Sequence, residues 1–312
     1  MMSLAAILTP LFGAIAIGAI AGTFRLFGEA EAKVFARFVF MIAMPLAVLA
    51  FILTEVRLDP AHRAVIVGYF AGFLPVALAA FLFARAKGYD VRRAGALTFS
   101  AVCGNSIFLG LPIALSVPSW GSPYLLLLVC EGVVAYGLGT ILLSWPPGVS
   151  GGPSFALISG ALLRALKNPL IGVTIGGFFL LAIGAVPPPI LVAPFGFVGA
   201  IAAPLGLIVL GLYLIILIRR RITLPLDAAI VFVSLKLGVF PAISASVVWL
   251  LTSEAALTQA TALFTGLPPA VSTLIYAATY GAGEEEAAAL LAFSTLTGLI
   301  TLTAFLGVVL PS

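Results

Sequence analysis

The sequence predicts an all-α integral membrane protein: ten transmembrane helices in a 5+5 inverted-topology repeat, with two of the helices broken where they cross. Three observations predict it. The 312 residues are 62% hydrophobic and only 8% charged, with a mean hydropathy of +1.27, far from the roughly 25% charged residues of an ordinary soluble domain. Two apolar stretches are interrupted by the same tripeptide, Gly110-Leu111-Pro112 and Gly266-Leu267-Pro268. Short anchors also recur at a nearly constant offset along the chain.

A bilayer core needs about 20 apolar residues per helix. Ten segments meet this, near residues 5–24, 34–54, 64–84, 94–117, 122–144, 169–186, 190–218, 227–251, 256–280 and 287–310. Met1-Met2-Ser3 carries no basic stretch, and no small-residue cleavage site follows the first apolar run, so that run is expected to stay as a helix. Connections are short except between spans 5 and 6. There Trp145-Pro146-Pro147-Gly148 opens a flexible linker, and Phe155 to Lys167 is expected to lie at the interface as an amphipathic helix. Residues 1–150 thus form the first half, 151–168 the linker and 169–312 the second half.

Pro10-Leu11-Phe12-Gly13 matches Pro169-Leu170-Ile171-Gly172, and Ile42-Ala43-Met44-Pro45-Leu46 matches Ile201-Ala202-Ala203-Pro204-Leu205, both at an offset of 159; the Gly-Leu-Pro pair follows at 156. A repeat of five helices is odd, so its second copy enters the membrane the other way up. The basic residues set direction. Placing Arg25, Lys33, Arg37, Arg85, Lys87, Arg92, Arg93, Arg164, Lys167, Arg219, Arg220 and Arg221 on one side leaves only Arg57 and Arg63 on the other. By the positive-inside rule the larger set faces the cytoplasm and both termini lie outside. Arg219-Arg220-Arg221 fits a topology anchor better than a lipid-headgroup site.

Proline inside a helix removes a donor and clashes with the preceding turn, and hydrocarbon cannot satisfy the freed groups. Paired interruptions in corresponding spans therefore point to a binding site that lines a protected cavity. Gly110, Pro112, Pro268 and Pro269 are expected to break spans 4 and 9. Half-helix N-termini at such a crossing favour anions and C-termini favour cations, so the side chains must decide. Ser100, Asn105, Ser106, Thr261, Thr265, Ser272 and Thr273 lie near the breaks, and all are neutral. Asn105 is the leading substrate ligand because an amide both donates and accepts; the competing role is a structural cap on the broken helix. Gly104, Ser106, Thr265, Gly266 and Ser272 complete the candidate set, and Gly104 and Gly110 equally suit close backbone approach.

Glu131 in span 5 and Lys236 in span 8 are the two ionisable residues deep in predicted spans. A charge at a helix centre costs roughly 2.5 to 3.5 kcal/mol on insertion scales and marks an ion or substrate path. Lys236 suits a fixed positive charge or the place of a coupling cation, and Glu131 suits a proton carrier. The alternatives are a buried ion pair between them or a snorkelling lysine. Glu284-Glu285-Glu286 suits a helix N-terminus, and His62 falls in an external loop. Cys103 and Cys130 fit small core residues. A single His, no metal-ligand spacing and no paired Asp at depth argue against an enzyme, a metal site or a cofactor. The net charge of +4 implies no nucleic-acid partner once the basic residues are assigned to topology.

Asn105-Ser106-Ile107-Phe108-Leu109-Gly110-Leu111-Pro112 resembles the helix-4 signature of the auxin efflux carrier family. Pro45, Asn168-Pro169-Leu170, Lys236-Leu237 with Pro241, and Tyr280-Gly281 before the acidic run are similar to that family's other landmarks. The short connection between spans 5 and 6 is like the compact bacterial members. The resemblance covers essentially the whole chain. It implies secondary or potential-driven transport of small organic anions, such as auxin, malate or malonate, across the inner membrane, on a fold shared with bile-acid and sodium-proton carriers. It further implies a scaffold of spans 1, 2, 6 and 7, which forms a homodimer, and a mobile unit of spans 3 to 5 and 8 to 10 that moves as an elevator. No Asp stands at the span 4 crossing, which disfavours sodium-proton exchange. A sodium-coupled symporter of the bile-acid type is the alternative.

Overall fold

The computed structural model describes residues 4–56, 60–117, 119–145, 159, 160, 163, 169–220 and 224–310. The linker helix expected between Phe155 and Lys167 lies outside the described residues, apart from three isolated positions. The described chain is helical, with one isolated antiparallel bridge. The helices are α1 (Leu4–Thr23), α2 (Glu29–Glu55), α3 (Arg63–Ala86), α4 (Val91–Val102), α5 (Ser106–Ser116) and α6 (Gly121–Leu143). They continue as α7 (Pro169–Ala182), α8 (Pro189–Arg219), α9 (Leu226–Thr252), α10 (Ala255–Thr265), α11 (Val271–Tyr280) and α12 (Glu284–Val309). Among the described residues, α2, α3, α6, α8, α9 and α12 are long and apolar enough to cross a membrane by themselves. Predicted span 4 is α4 plus α5, and predicted span 9 is α10 plus α11. Span 6 is shorter than expected: α7 stops at Ala182, and Gly184 takes a left-handed φ of 70°.

Burial follows a lipid solvent. Phe197 is 82% exposed and Val308 88%, whereas Ser100, Lys236, Ser244, Thr261 and Ser294 are each 0% exposed. Helices in lipid gain little from apolar burial, so small residues and close approach bring them together. A Cβ on Gly18 would lie 2.0 Å from the Ile208 carbonyl oxygen, and one on Gly211 would lie 2.1 Å from that of Ile15, so α1 and α8 pack almost backbone to backbone. Gly199 of α8 meets Ala47 of α2 in the same way. In the second group, Gly68 and Gly72 of α3 meet Ser244 and Val248 of α9, while Gly95 of α4 meets Leu142 of α6.

Four turns are widened to π geometry: Val39–Ala43, Ser106–Gly110, Glu131–Ala135 and Leu235–Val239. Pro45, Pro112 and Pro241 each stand two residues after one of them. The proline ring clashes with the carbonyl four residues back; opening the preceding turn by one residue relieves this, and the residue before each proline donates five residues back instead. The expected break at Gly110 and Pro112 is therefore corrected. These two lie in continuous helix, and α4 parts from α5 upstream, at Cys103–Asn105. Gly266 and Pro268-Pro269, by contrast, lie in the non-helical segment between α10 and α11. Each proline restricts the residue before it, and two in succession leave no helical alternative.

Basic residues join helix ends into two sets. Arg219 donates to the Gly22 and Thr23 carbonyls at the end of α1, at 3.0 and 2.8 Å, where a cation also offsets the helix dipole. Lys87, after α3, pairs with Asp227 of α9. Arg92 bonds the carbonyls of Leu143 and Tyr280, at the ends of α6 and α11, and Arg93 pairs with Glu286 in the first turn of α12. The acidic run thus opens a helix, as expected, and one member carries a specific partner.

Replacing Gly18 with Val should lower stability by roughly 1 to 3 kcal/mol through overpacking, whereas Gly13→Ala, with nothing within 4 Å of the added carbon, should be close to neutral. Thermal unfolding of both variants in detergent measures the difference.

Candidate functional site

The two unwound segments cross. Asn105 N donates to the Pro268 carbonyl at 2.7 Å, and Gly104 and Pro269 form the antiparallel bridge. A two-strand contact so placed satisfies backbone groups that neither broken helix can serve internally.

Both buried ionisable residues close on this crossing. Glu131 Oε1 accepts from Gly104 N at 2.7 Å, and Oε2 accepts from the Ser106 hydroxyl at 2.5 Å. Its carboxylate therefore sits at the N-terminus of α5, where exposed donors and the helix dipole favour an anion. Lys236 Nζ donates to the Thr265 carbonyl at 3.1 Å, at the C-terminus of α10, and lies 5.0 Å from the Phe240 ring centroid. Each charge is thus matched to the half-helix end of opposite sign. The direct ion pair entertained from sequence does not form. Among the described residues the ion pairs are Glu29–Lys33, Lys87–Asp227 and Arg93–Glu286; Glu131 and Lys236 instead flank Gly104, where an added Cβ would stand 3.4 Å from Nζ. Nor does Lys236 snorkel, since it is fully buried.

Asn105 is 2% exposed, and its side chain makes no capping bond to α5; its backbone carbonyl accepts from Leu109 and Gly110 instead. The capping alternative falls, and Asn105 Nδ2 is left as a buried donor without a partner. The other candidates are engaged. Ser106 donates to Glu131, the Thr265 hydroxyl donates to the Thr261 carbonyl at 2.7 Å, Gly266 N donates to Ala262, and Ser272 Oγ lies 2.8 Å from Tyr136 Oη. Gly110 serves close approach: its φ is −79°, and an added Cβ would stand 1.9 Å from Tyr124 Oη, which donates to the Ser106 carbonyl at 2.6 Å. Tyr124 and Tyr136 were absent from the sequence-based set. A tyrosine mid-span needs a hydroxyl partner, and that was the available signal.

Two cavities lie at opposite ends of the same helix pair. One, of about 900 Å³, lies between Ala47–Glu55 of α2 and Pro189–Ala203 of α8, and reaches Ile107, Leu111 and Pro112 of α5. The other, of about 500 Å³, lies between Glu29–Met41 of α2 and Tyr213–Leu217 of α8, and reaches Tyr136 and Ser272. Between them the Phe108 ring sits in the notch left by Gly206, where a Cβ would be 2.2 Å away, and packs edge-on to Phe40 at 5.3 Å.

A family model described as membrane transport protein matches residues 4–145 and 153–306. The chain belongs to this family, that of the auxin efflux carriers. A comparison with curated proteins finds no match. Membership makes the chain a membrane transporter and accords with a site built from donors, helix ends and cavities.

Gly110→Ala should destabilise the carrier by roughly 1 to 3 kcal/mol. Tyr124→Phe, which alone loses one bond worth about 0.5 to 1.5 kcal/mol, should recover part of that loss when combined with it. Thermal unfolding of the two single variants and the double variant reads the coupling directly.

Proposed function

We propose that the protein carries small organic anions across the inner membrane, binding them at the crossing of the two broken helices. The observation that carries the reading is the unpartnered Asn105 Nδ2, buried at the crossing where Lys236 also ends, its Nζ 3.4 Å from where a Cβ on the neighbouring Gly104 would stand. An amide donor and a fixed ammonium at one crossing suit a carboxylate, and a buried donor without a partner is costly until a ligand arrives. Lys236 stands where a coupling cation would otherwise neutralise the carbonyl end of α10, which favours transport without bound sodium over the bile-acid type of symport.

Alternating access by an elevator is the mechanism this reading entails. The α2 and α8 helices run oppositely past the two cavities, as a 5+5 inverted repeat requires, with residues 1–150 and 169–312 as its halves. Spans 1, 2, 6 and 7 (α1, α2, α7 and α8) form the scaffold and the homodimer face; the crossing moves with the remaining helices. Both termini lie outside the cytoplasm under the positive-inside rule.

Proteoliposomes assayed with labelled malonate, malate and benzoate, with and without sodium or a proton gradient, test the reading. Lys236→Gln should sharply reduce uptake in a protein that still purifies as wild type, and Lys236→Arg should restore only part of it. Asn105→Ala should weaken binding roughly ten- to a hundredfold, as expected for one hydrogen bond to a charged ligand. Full activity in both variants, or no carboxylate flux in the wild type, would remove the proposal.

A further inference from the structure

The cavity at the arginine-rich end carries a charge that the crossing does not use. Of its ionisable lining, Glu29 and Lys33 pair with each other at 2.9 Å, and Glu284 opens α12 at a helix N-terminus. Arg37 makes no hydrogen bond or ion pair among the described residues, and its side chain is exposed. Residues 29, 33, 37 and 41 are each four apart, so one face of α2 delivers them to the cavity in a row. At about 500 Å³ the space suits a small organic molecule, and the walls beyond Arg37 are aromatic, with Phe40, Tyr213 and Tyr276 among them. At the inner wall, Tyr136 and Ser272 share one hydrogen bond at 2.8 Å. Two hydroxyls bonded to each other use one proton, and the Cys103 thiol is within hydrogen-bonding reach of both, so the pair forms a polar wall to the cavity.

We infer that this cavity is a second anion site, distinct from the crossing, in which Arg37 captures an organic carboxylate while its apolar body lies against the aromatic wall. The inference rests on the reading of the protein as an organic-anion carrier and adds an entry station to it. Arg37 belongs to α2, whereas Tyr136 and Ser272 belong to α6 and α11, which meet at the crossing. An anion passing from Arg37 to the hydroxyl pair is thereby transferred from the scaffold side of the cavity to the side that holds Asn105. Guanidinium suits the task, since its planar fork takes both carboxylate oxygens.

Labelled benzoate is the probe, presented to either face of right-side-out and inside-out vesicles. Arg37→Gln should raise the KM about tenfold or more when benzoate is on the Arg37 face, as for loss of a charged hydrogen-bond donor, and by much less from the opposite face. Arg37→Lys should recover part of it. Asn105→Ala should raise KM from both faces. An unchanged KM in Arg37→Gln, or an equal rise from both faces, overturns the entry site while leaving the crossing intact. If wild-type vesicles move no benzoate, the carrier reading fails, and equilibrium binding to the full chain in nanodiscs decides Arg37 separately. Saturable binding weakened in Arg37→Gln then upholds the site, and its absence, or its full retention in the variant, overturns it.

Discussion

Everything else in this molecule depends on satisfying backbone groups at the place where two helices are unwound inside hydrocarbon. Residues 103–105 and 266–270 give up helical hydrogen bonds, and the loss is met in three ways: by each other across the Gly104 and Pro269 bridge, by the Glu131 carboxylate, and by the Lys236 ammonium. The dependence is mutual. Glu131 is tolerable at depth because the α5 N-terminus offers it donors, and Lys236 because the α10 C-terminus offers it an acceptor. Removing one of these charges leaves uncompensated peptide groups, and closing a break leaves an uncompensated charge.

Around that crossing the helices are held by two different means. Within each packed set, glycines bring backbones into contact, as Gly18 and Gly211 do for α1 and α8, and Gly68 and Gly72 do for α3 and α9. At the arginine-rich end, guanidinium groups fasten carbonyl ends that lipid or water would otherwise have to serve: Arg219 ties α8 to α1, while Arg92 and Arg93 tie α4 to α6, α11 and α12. Neither means joins α2 to α11 across the smaller cavity. The smaller cavity therefore lies where both fastenings are missing.

Much of this was legible in the chain. The apolar spans follow from composition, and Pro268-Pro269 could not sit in helix, so the second break lies where expected. Lys236 and Glu131 stand out because charge at depth is expensive, and Asn105 because its amide both donates and accepts in an otherwise neutral stretch. The first break was legible in its existence and not in its position. A proline is equally served by breaking the helix or by widening the turn before it, and sequence does not separate these outcomes; Pro45, Pro112 and Pro241 all take the second. Gly110 was ambiguous for a related reason, since what a glycine makes room for belongs to another helix, here Tyr124 of α6.

Phe108 in the Gly206 notch also bears on the integrity of the membrane. It stands on the line between the two cavities, with Ala203 and Tyr213 of α8 on either side of it and Phe40 closing against it. The aromatic ring fills the gap left by the missing side chain and stands as a partition between the two cavities at this point. A ring in that place narrows the direct route by which ions held apart by the membrane could leak from one cavity to the other.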